Sequence, residues 1–358
     1  MNPFFELIQI ALGARQSFDV APSDGEWQEL FNLAEEQALT GVLLEAIEKL
    51  PNEQLPPRDI RRQWLGMQSK IISKNKVMNA RAAELTSLLA EAGYGSCVLK
   101  GQGTALYYPH PEHRTSGDID IWVEGRRQEL LEYLAPKYKL GVQNWHHTPV
   151  DFFPDVEVEV HHHPTWLCNP FRDKRLRRYF FEQWPAQSAH STELGFNSPT
   201  PEFAYIYCLL HIFRHLLDEG VGLRQVMDLY LIGLAMPDNS QKDVRRRIRE
   251  FGLDKMAAGM MYVLREVFGL PESKFIYAVD EKCGRFILDE IMQAGNFGKF
   301  DVRNSSLKGG NRALRGLKKF FGRQSRFLKY FPSEVLWIVP WRLWQFFFWR
   351  STNTVKNM

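Results

Sequence analysis

The hydrophobic spacing of this sequence changes twice, at Gly93 and again at Pro201. Before Gly93, apolar residues recur three and four positions apart, as on one face of an α-helix, with a Pro-rich break at residues 51–57. Between the two positions, short stretches of alternating residues bounded by turn residues indicate β-strands. Helical spacing then returns. We therefore predict an α+β chain in which a small mixed β-sheet is flanked by N-terminal and C-terminal helical regions.

These changes divide the chain into four segments. They are an N-terminal helical region (1–93), an α/β core (94–195), a C-terminal helical domain (196–300) and a basic, aromatic helical tail (301–358). The chain has 44% hydrophobic and 24% charged residues, which is typical of globular proteins and excludes wholesale disorder. Glu6 interrupts the first apolar stretch, and no uncharged apolar run reaches roughly 18 residues. We expect a cytoplasmic protein without a signal peptide or a membrane-spanning helix.

The individual elements are predicted from the same patterns. The strands are Ser96–Leu99, Ile119–Val123, Thr148–Phe153 and Val156–His162, of which the last two form a hairpin at Pro154-Asp155. The helices within the core are Gln102–Tyr108 and Gln128–Tyr138. The flanking helices are Phe4–Leu12, Trp27–Leu39, Val42–Leu50, Ile60–Ala92, Phe203–Leu217, Leu223–Leu234 and Met256–Phe268.

A pair of carboxylates is the first sign of chemistry. Asp118 and Asp120 are two positions apart at a predicted strand, so both project from the same face. Carboxylates held this close repel one another unless a cation lies between them, and Mg²⁺ prefers oxygen ligands. For these residues alone, a solvated strand edge is the commoner explanation. A third carboxylate, Glu159, lies on a later predicted strand and would complete a two-metal site.

The residues around these acids resemble those of the nucleotidyltransferase superfamily with the DNA-polymerase-β-like fold, and most closely its bacterial branch of uncharacterised nucleotidyltransferases. The likeness covers about residues 20–240. The matching residues are Leu99-Lys100-Gly101, Tyr108-Pro109, Arg114, Gly117-Asp118-Ile119-Asp120, Glu159-Val160-His161, His211, His215, Gly222-Leu223-Arg224 and Asp228. The chain departs from the wider superfamily at Gln102, where Gly or Ser usually follows the first Gly, and at Glu159, where Asp is commoner.

The resemblance implies a magnesium-dependent nucleotidyltransferase. Asp118, Asp120 and Glu159 would be the catalytic acids and bind two Mg²⁺ ions, with Mn²⁺ as an alternative. The nucleoside triphosphate (NTP), such as ATP, would be bound by Lys100, Gly101, Arg114, Ser116 and Gly117. The enzyme would move a nucleoside monophosphate to an acceptor hydroxyl and release pyrophosphate. The acceptor stays open: a small molecule, a glycan or lipid intermediate, a protein or an RNA.

Two other functions remain open beside this one. A catalytically weak member of the same fold would serve as a nucleotide-binding or membrane-surface module. A metal-dependent phosphodiesterase would use the same acids. Convergence of Asp118, Asp120 and Glu159 is required for the transfer reaction.

Histidines add weaker signals. His161 follows Glu159 on the same strand face, and His211 and His215 are four apart on one face of a predicted helix. We expect these three to line a cleft. A zinc site is less favoured, because no spaced cysteine completes a ligand set. Arg224 and Asp228, also four apart, are predicted to pair with each other.

The tail differs from the rest of the chain in its charge. Residues 302–358 contain twelve Lys or Arg against one acid, Glu334, a net +11, whereas residues 1–301 contain 33 against 41, a net −8. The aromatic stretch 335–349 is shorter than the roughly 20 residues that span a bilayer. Three roles fit: packing on the core, contact with the inner membrane face through residues 302–350, or binding of a polyanion such as tRNA.

Overall fold

The helices that precede the sheet begin at well-formed caps and Pro-rich turns. The computed structural model describes residues 2–299, 301, 303 and 312–349. The Ser23 side chain and Glu26 form a capping box at the start of the second helix. The elements are α1 (Pro3–Ala11), α2 (Asp24–Glu36), α3 (Thr40–Lys49) and the long α4 (Arg58–Glu91). These bounds lie within three residues of those predicted at each end.

The sheet is mixed and four-stranded. Its strands are β1 (Ser96–Val98), β2 (Ile119–Val123), β3 (His147–Pro149) and β4 (Val158–His161), in the order β1-β2-β4-β3. β2 runs parallel to β4, and the other two pairs are antiparallel. The predicted α+β class with a mixed sheet is confirmed. The predicted hairpin is present with shorter strands and a wider turn, because the prolines at 149 and 154 lack the N–H that a ladder needs.

Two short helices lie within the sheet segment, α5 (Gln102–Ala105) and α6 (Arg127–Leu134). Both end earlier than predicted. The helices that follow the sheet in the chain are α7 (Pro170–Ser188), α8 (Pro201–Asp218), α9 (Leu223–Ala235), α10 (Gln241–Glu250), α11 (Asp254–Phe268), α12 (Glu281–Ala294), α13 (Arg312–Leu328) and α14 (Pro332–Trp344). Helix α7 was not predicted, because its many charged residues and Pro185 obscure the apolar spacing.

Hydrophobic packing gives the sheet two different faces. Ile119, Ile121 and Val160 pack in one cluster with Leu85 of α4 and Leu130 of α6. Alternation along a strand turns Asp120 and Glu159 to the opposite face, toward α8.

A second, larger cluster joins helices that are far apart in sequence. It unites α1–α3 with α8, α9, α11 and α14. Helix α1 packs against α11, and Gln9 Nε2 donates to the Glu266 carbonyl at 3.1 Å. Within the described part of the chain, no helix has the length and apolarity to cross a bilayer.

Candidate active site between the sheet and helix α8

The parallel pairing of β2 and β4 brings the predicted acids together. Asp120 and Glu159 are register partners on neighbouring strands. Ligand atoms of Asp120, Glu159 and His161 all lie within 4.8 Å of one another. Asp118 directly precedes β2 and is half-buried at the same face. The convergence that a metal-dependent transfer requires is therefore present for Asp120 and Glu159, with Asp118 beside them.

Asp120 is fully buried, and cationic groups surround it. Lys100 Nζ lies 3.0 Å from its Oδ1, and His161 Nε2 lies 2.8 Å from the same oxygen. Its Oδ2 is buried and accepts no hydrogen bond from the described residues. A buried carboxylate oxygen without a donor is costly, so this atom fits a bound cation.

The charges of this group depend on one another. Burial alone would raise the pKa of Asp120, but Lys100 and His161 outweigh it and hold that pKa below its ordinary value. Burial would lower the pKa of Lys100, yet Asp120, Asp118 and Glu159 raise it. Burial also opposes the charged form of His161, whose hydrogen bonds to Asp120 and Glu159 raise its pKa to about 9. Asp120 is therefore held ionised between two cations.

A cavity of about 240 Å³ adjoins Asp118 and Asp120. Its wall carries several buried polar atoms that have no hydrogen-bond partner among the described residues, among them Ser116 Oγ, Tyr207 Oη and Asn296 Oδ1. Lys299 is exposed and also lines the cavity. Unpaired polar atoms and an exposed cation suit a polar, anionic ligand. We call this space the first cavity.

A second cavity of about 410 Å³ lies on the other side of the acids. Glu159, His146, His147 and His161 line it, together with Arg214 of α8. Ligand atoms of the three histidines lie within 4.8 Å of one another. Burial and the neighbouring His161 lower the pKa of His147 to about 4, so it is neutral and able to accept a metal ion. We call this space the second cavity.

The two cavities share part of their walls. Lys100, Asp118 and His211 line both of them. Two ligands bound side by side would therefore meet at the carboxylates.

Arg114 lines the first cavity, so its contact with phosphate stays a prediction, whereas the predicted pairing of Arg224 is wrong. Arg114, predicted to bind phosphate, is buried, and its Nε and Nη2 donate to the two carboxylate oxygens of Asp228, each at 2.7 Å. Tyr108 Oη donates to the same carboxylate at 2.7 Å. The predicted Arg224–Asp228 pair is wrong, because Asp228 is taken by Arg114 and Arg224 donates to the Thr115 carbonyl at 2.8 Å. A spacing of four residues on a helix allows two side chains to form an ion pair. It does not tell whether one of them instead binds a residue from another element.

The predicted glycine and loop residues are close to the acids. Gly101 has a φ of 61°, and an added Cβ there would lie 3.3 Å from the Asp118 carbonyl. Helix α5, which follows Gly101, is a single turn. Lys74 Nζ donates to the carbonyls of Ser116 and Gly117, at 3.2 and 3.1 Å. The loop that precedes β2 is therefore fixed from outside the cavity.

The predicted cleft histidines all line the second cavity. The rings of His211 and His215 are 4.2 Å apart. Sequence reasoning missed Tyr207 and Lys299, and it weighed His146 and His147 only as part of the less favoured zinc site. The adjacent histidines at 146 and 147 were a usable signal, whereas nothing in the local pattern marks Tyr207 or Lys299, which only the packing of α8 and α12 brings to the first cavity.

Two comparisons with known proteins give a match. A family model described as an uncharacterised nucleotidyltransferase matches residues 23–269. The chain is also similar to a solved antigenic nucleotidyltransferase-like protein from Paracoccidioides brasiliensis, with 13% identity over 58% of this chain and 96% of that one, at a TM-score of 0.34. A comparison with curated proteins gives no match.

Proposed function

Because the chain belongs to the family of uncharacterised nucleotidyltransferases, we propose that it transfers a nucleoside monophosphate from an NTP to an acceptor hydroxyl. The observation that carries this proposal is the position of Lys100 and Asp118 in the common wall of two cavities. A transfer between two substrates needs both of them at one set of carboxylates. This arrangement gives each substrate a cavity of its own.

We assign Asp118, Asp120 and Glu159 to divalent cations. The partnerless Oδ2 of Asp120 supports a cation at that position. Mg²⁺ and Mn²⁺ both suit the oxygen ligands that these carboxylates offer. Bound cations would stabilise the charge on the attacking and leaving oxygens.

The NTP belongs in the first cavity. Lys100 and Lys299 provide positive charge for its phosphates. The hydroxyls of Ser116 and Tyr207 are free to donate to its oxygens. Arg114 lines the same cavity and supports its wall through the ion pair with Asp228.

The acceptor belongs in the second cavity, where Glu159 is the proton acceptor. Burial would raise the pKa of Glu159, but the hydrogen bond from His161 and the positive charge of that ring lower it, so the carboxylate is ionised. As the acceptor oxygen forms its bond to the α-phosphorus, its proton passes to Glu159. The bond from phosphorus to the bridging oxygen breaks, and pyrophosphate leaves with that electron pair on the side of the first cavity.

The Lys100–Asp120 ion pair favours a second candidate function, a nucleotide-binding module without transfer. Lys100 already neutralises Asp120 at 3.0 Å, as a cation would. Such a module would bind NTP and leave it intact.

The experiment that separates the two is label transfer. The protein is incubated with each α-labelled NTP, Mg²⁺ or Mn²⁺ and a cell extract, and the labelled product and pyrophosphate are identified. We expect transfer by the wild type and none by Asp118→Asn/Asp120→Asn or by Glu159→Gln. Asp151→Asn, at an exposed position near β3, is the matched control and should retain transfer.

Two outcomes would contradict the proposal. Transfer that survives in the folded double variant removes the acids from the mechanism. NTP binding by the wild type without any pyrophosphate release, with every extract and both cations, supports the binding module instead.

A further inference from the structure

The last two described helices, α13 and α14, have an inner face that packs on the core. Phe327, Phe331 and Ile338 are buried in the large hydrophobic cluster. Glu334 is also buried, and it accepts hydrogen bonds from the backbone N–H groups of Cys168 and Asn169. Packing on the core, one of the three roles expected for the tail, is therefore present.

The outer face of the same helices is apolar and exposed. Half of the large apolar side chains that are exposed among the described residues lie between positions 317 and 347. They are Leu317, Phe321, Leu328, Leu336, Val339, Leu343, Trp344, Phe346 and Phe347, with exposures from 37% to 66%. Leu336, Val339, Leu343 and Phe347 follow at three- and four-residue spacing, which places them on one side of the α14 segment. A continuous exposed apolar face of this kind marks a binding surface.

The charge around this face is positive. Lys318, Lys319 and Lys329 are exposed beside the apolar side chains, whereas Arg342 pairs with Asp218 of α8 at 3.2 Å. Glu334 is the single acid of residues 302–358, and its carboxylate is turned inward against Arg214, 3.2 Å away. In the described tail, no carboxylate therefore opposes an anionic partner. Apolar side chains flanked by lysines and free of acids match an anionic lipid surface, which offers both acyl chains and negative headgroups.

The face lies next to the second cavity. Trp341 and Trp344 of α14 pack edge-on against Trp145, at ring distances of 5.7 and 5.1 Å, and Trp145 directly precedes His146 and His147. Gln345, at the end of α14, lines the second cavity itself. The segment of α14 thus carries the exposed apolar face on one side and forms part of the wall of the second cavity on another.

We propose that the outer faces of α13 and α14 bind the surface of an anionic lipid bilayer. This contact brings the second cavity to the headgroup layer, where it meets an acceptor carried by a lipid, a step that rests on the proposed function. Membrane binding itself is independent of the transfer reaction.

The test is flotation of the purified full-length protein with vesicles. We expect binding to vesicles of equal parts phosphatidylcholine and phosphatidylglycerol, little binding to phosphatidylcholine alone, and weaker binding as salt rises. Leu336→Ser/Leu343→Ser should lower the partition coefficient about tenfold, since two apolar side chains no longer enter the membrane. Phe181→Ser, at an 83% exposed position on α7, should bind as the wild type does.

Several results would overturn the proposal. One is a wild type that stays unbound with both kinds of vesicle. Another is a double variant that floats as well as the wild type, because the lysines alone would then account for the binding, as they would for a nucleic acid. A third is a wild type that is a dimer by light scattering, does not bind vesicles and becomes a monomer in Leu336→Ser/Leu343→Ser. In that case the partner of this face is a second copy of the chain. Loss of label transfer with intact flotation, by contrast, contradicts only the enzymatic function.

Discussion

Lys100 holds together the charges of the candidate site. Its ammonium group is 3.0 Å from the buried Asp120 and lines both cavities. The acids were predicted from their two-residue spacing, which fixes the face of a strand on which they lie. Their cationic partners were only partly predicted, because Lys100 is contributed by another strand end and His161 could equally have pointed at solvent.

The Lys100→Ala variant should be less stable by about 2 kcal/mol, because Asp120 stays buried with only His161 as its partner. Chemical denaturation measures this free energy of unfolding. Added Mn²⁺ should stabilise the variant more than the wild type, since a cation then replaces the ammonium group. Lys139→Ala, which removes an exposed pair with Asp151, should change stability by less than about 0.5 kcal/mol. Equal stabilisation of both proteins by Mn²⁺ would speak against a cation at Asp120.

His163 should make the protein sensitive to acid. Burial, aided by the charge of Arg177, lowers the pKa of His163 to about 4, whereas the unfolded chain titrates near its ordinary value of 6.5. Below pH 6.5 the unfolded chain binds a proton that the folded chain does not, so stability falls as pH drops from 6.5 toward 4. The expected slope in this range is about 1.4 kcal/mol per pH unit, for the one proton that only the unfolded chain binds. In His163→Gln this part of the slope should disappear from denaturation curves taken at pH 5 and pH 7, and an unchanged slope would contradict the assignment.

At the scale of elements, α14 is fixed by one carboxylate. The Glu334 carboxylate accepts hydrogen bonds from two backbone N–H groups of the turn before α7 and from the guanidinium of Arg214. The sequence marked Glu334 only as the single acid of a basic tail. That this acid points inward follows from contacts with residues more than a hundred positions away, which local spacing does not encode.

Glu334→Gln should therefore loosen α14. We expect a loss of about 3 kcal/mol, because Arg214 loses a buried ionic partner and the new amide places a donor against backbone donors. Hydrogen exchange of residues 332–344 should rise before that of the rest of the chain. The exposed Glu53→Gln is the matched control, with an expected change within about 0.5 kcal/mol. Uniform exchange across the chain in Glu334→Gln would show that α14 has no separate anchor.

At the scale of the whole molecule, the helices before and after the sheet form one core. Helix periodicity predicted seven of the flanking helices to within a few residues, since long amphipathic patterns are strong local signals. Their mutual packing could not be predicted in this way, because a period identifies the buried face of a helix and not its neighbour. The basic tail and the acidic remainder of the chain are also joined by ion pairs. The tail residues Arg326 and Arg342 pair with Glu290 and Asp218 of the acidic part.

Leu7→Ala should report on this shared core. Leu7 is fully buried in α1, which packs on α11 some 250 positions later. We expect a loss of about 3 kcal/mol and an equal fall in the hydrogen-exchange protection of α11, Asp254–Phe268. Leu65→Ala, at a 47% exposed position on α4, should change neither quantity appreciably. Protection of α11 that survives in Leu7→Ala would mean that the two helices unfold independently.

The shared wall of the two cavities also has a thermodynamic consequence. Lys100 serves Asp120 in the structure, and a phosphate in the first cavity would compete for the same ammonium group. Such a shift of the ammonium group changes the electrostatic potential in the second cavity, because the same lysine lines its wall. Binding of one substrate must then change the affinity for the other, and reciprocity requires the factor to be the same in both directions.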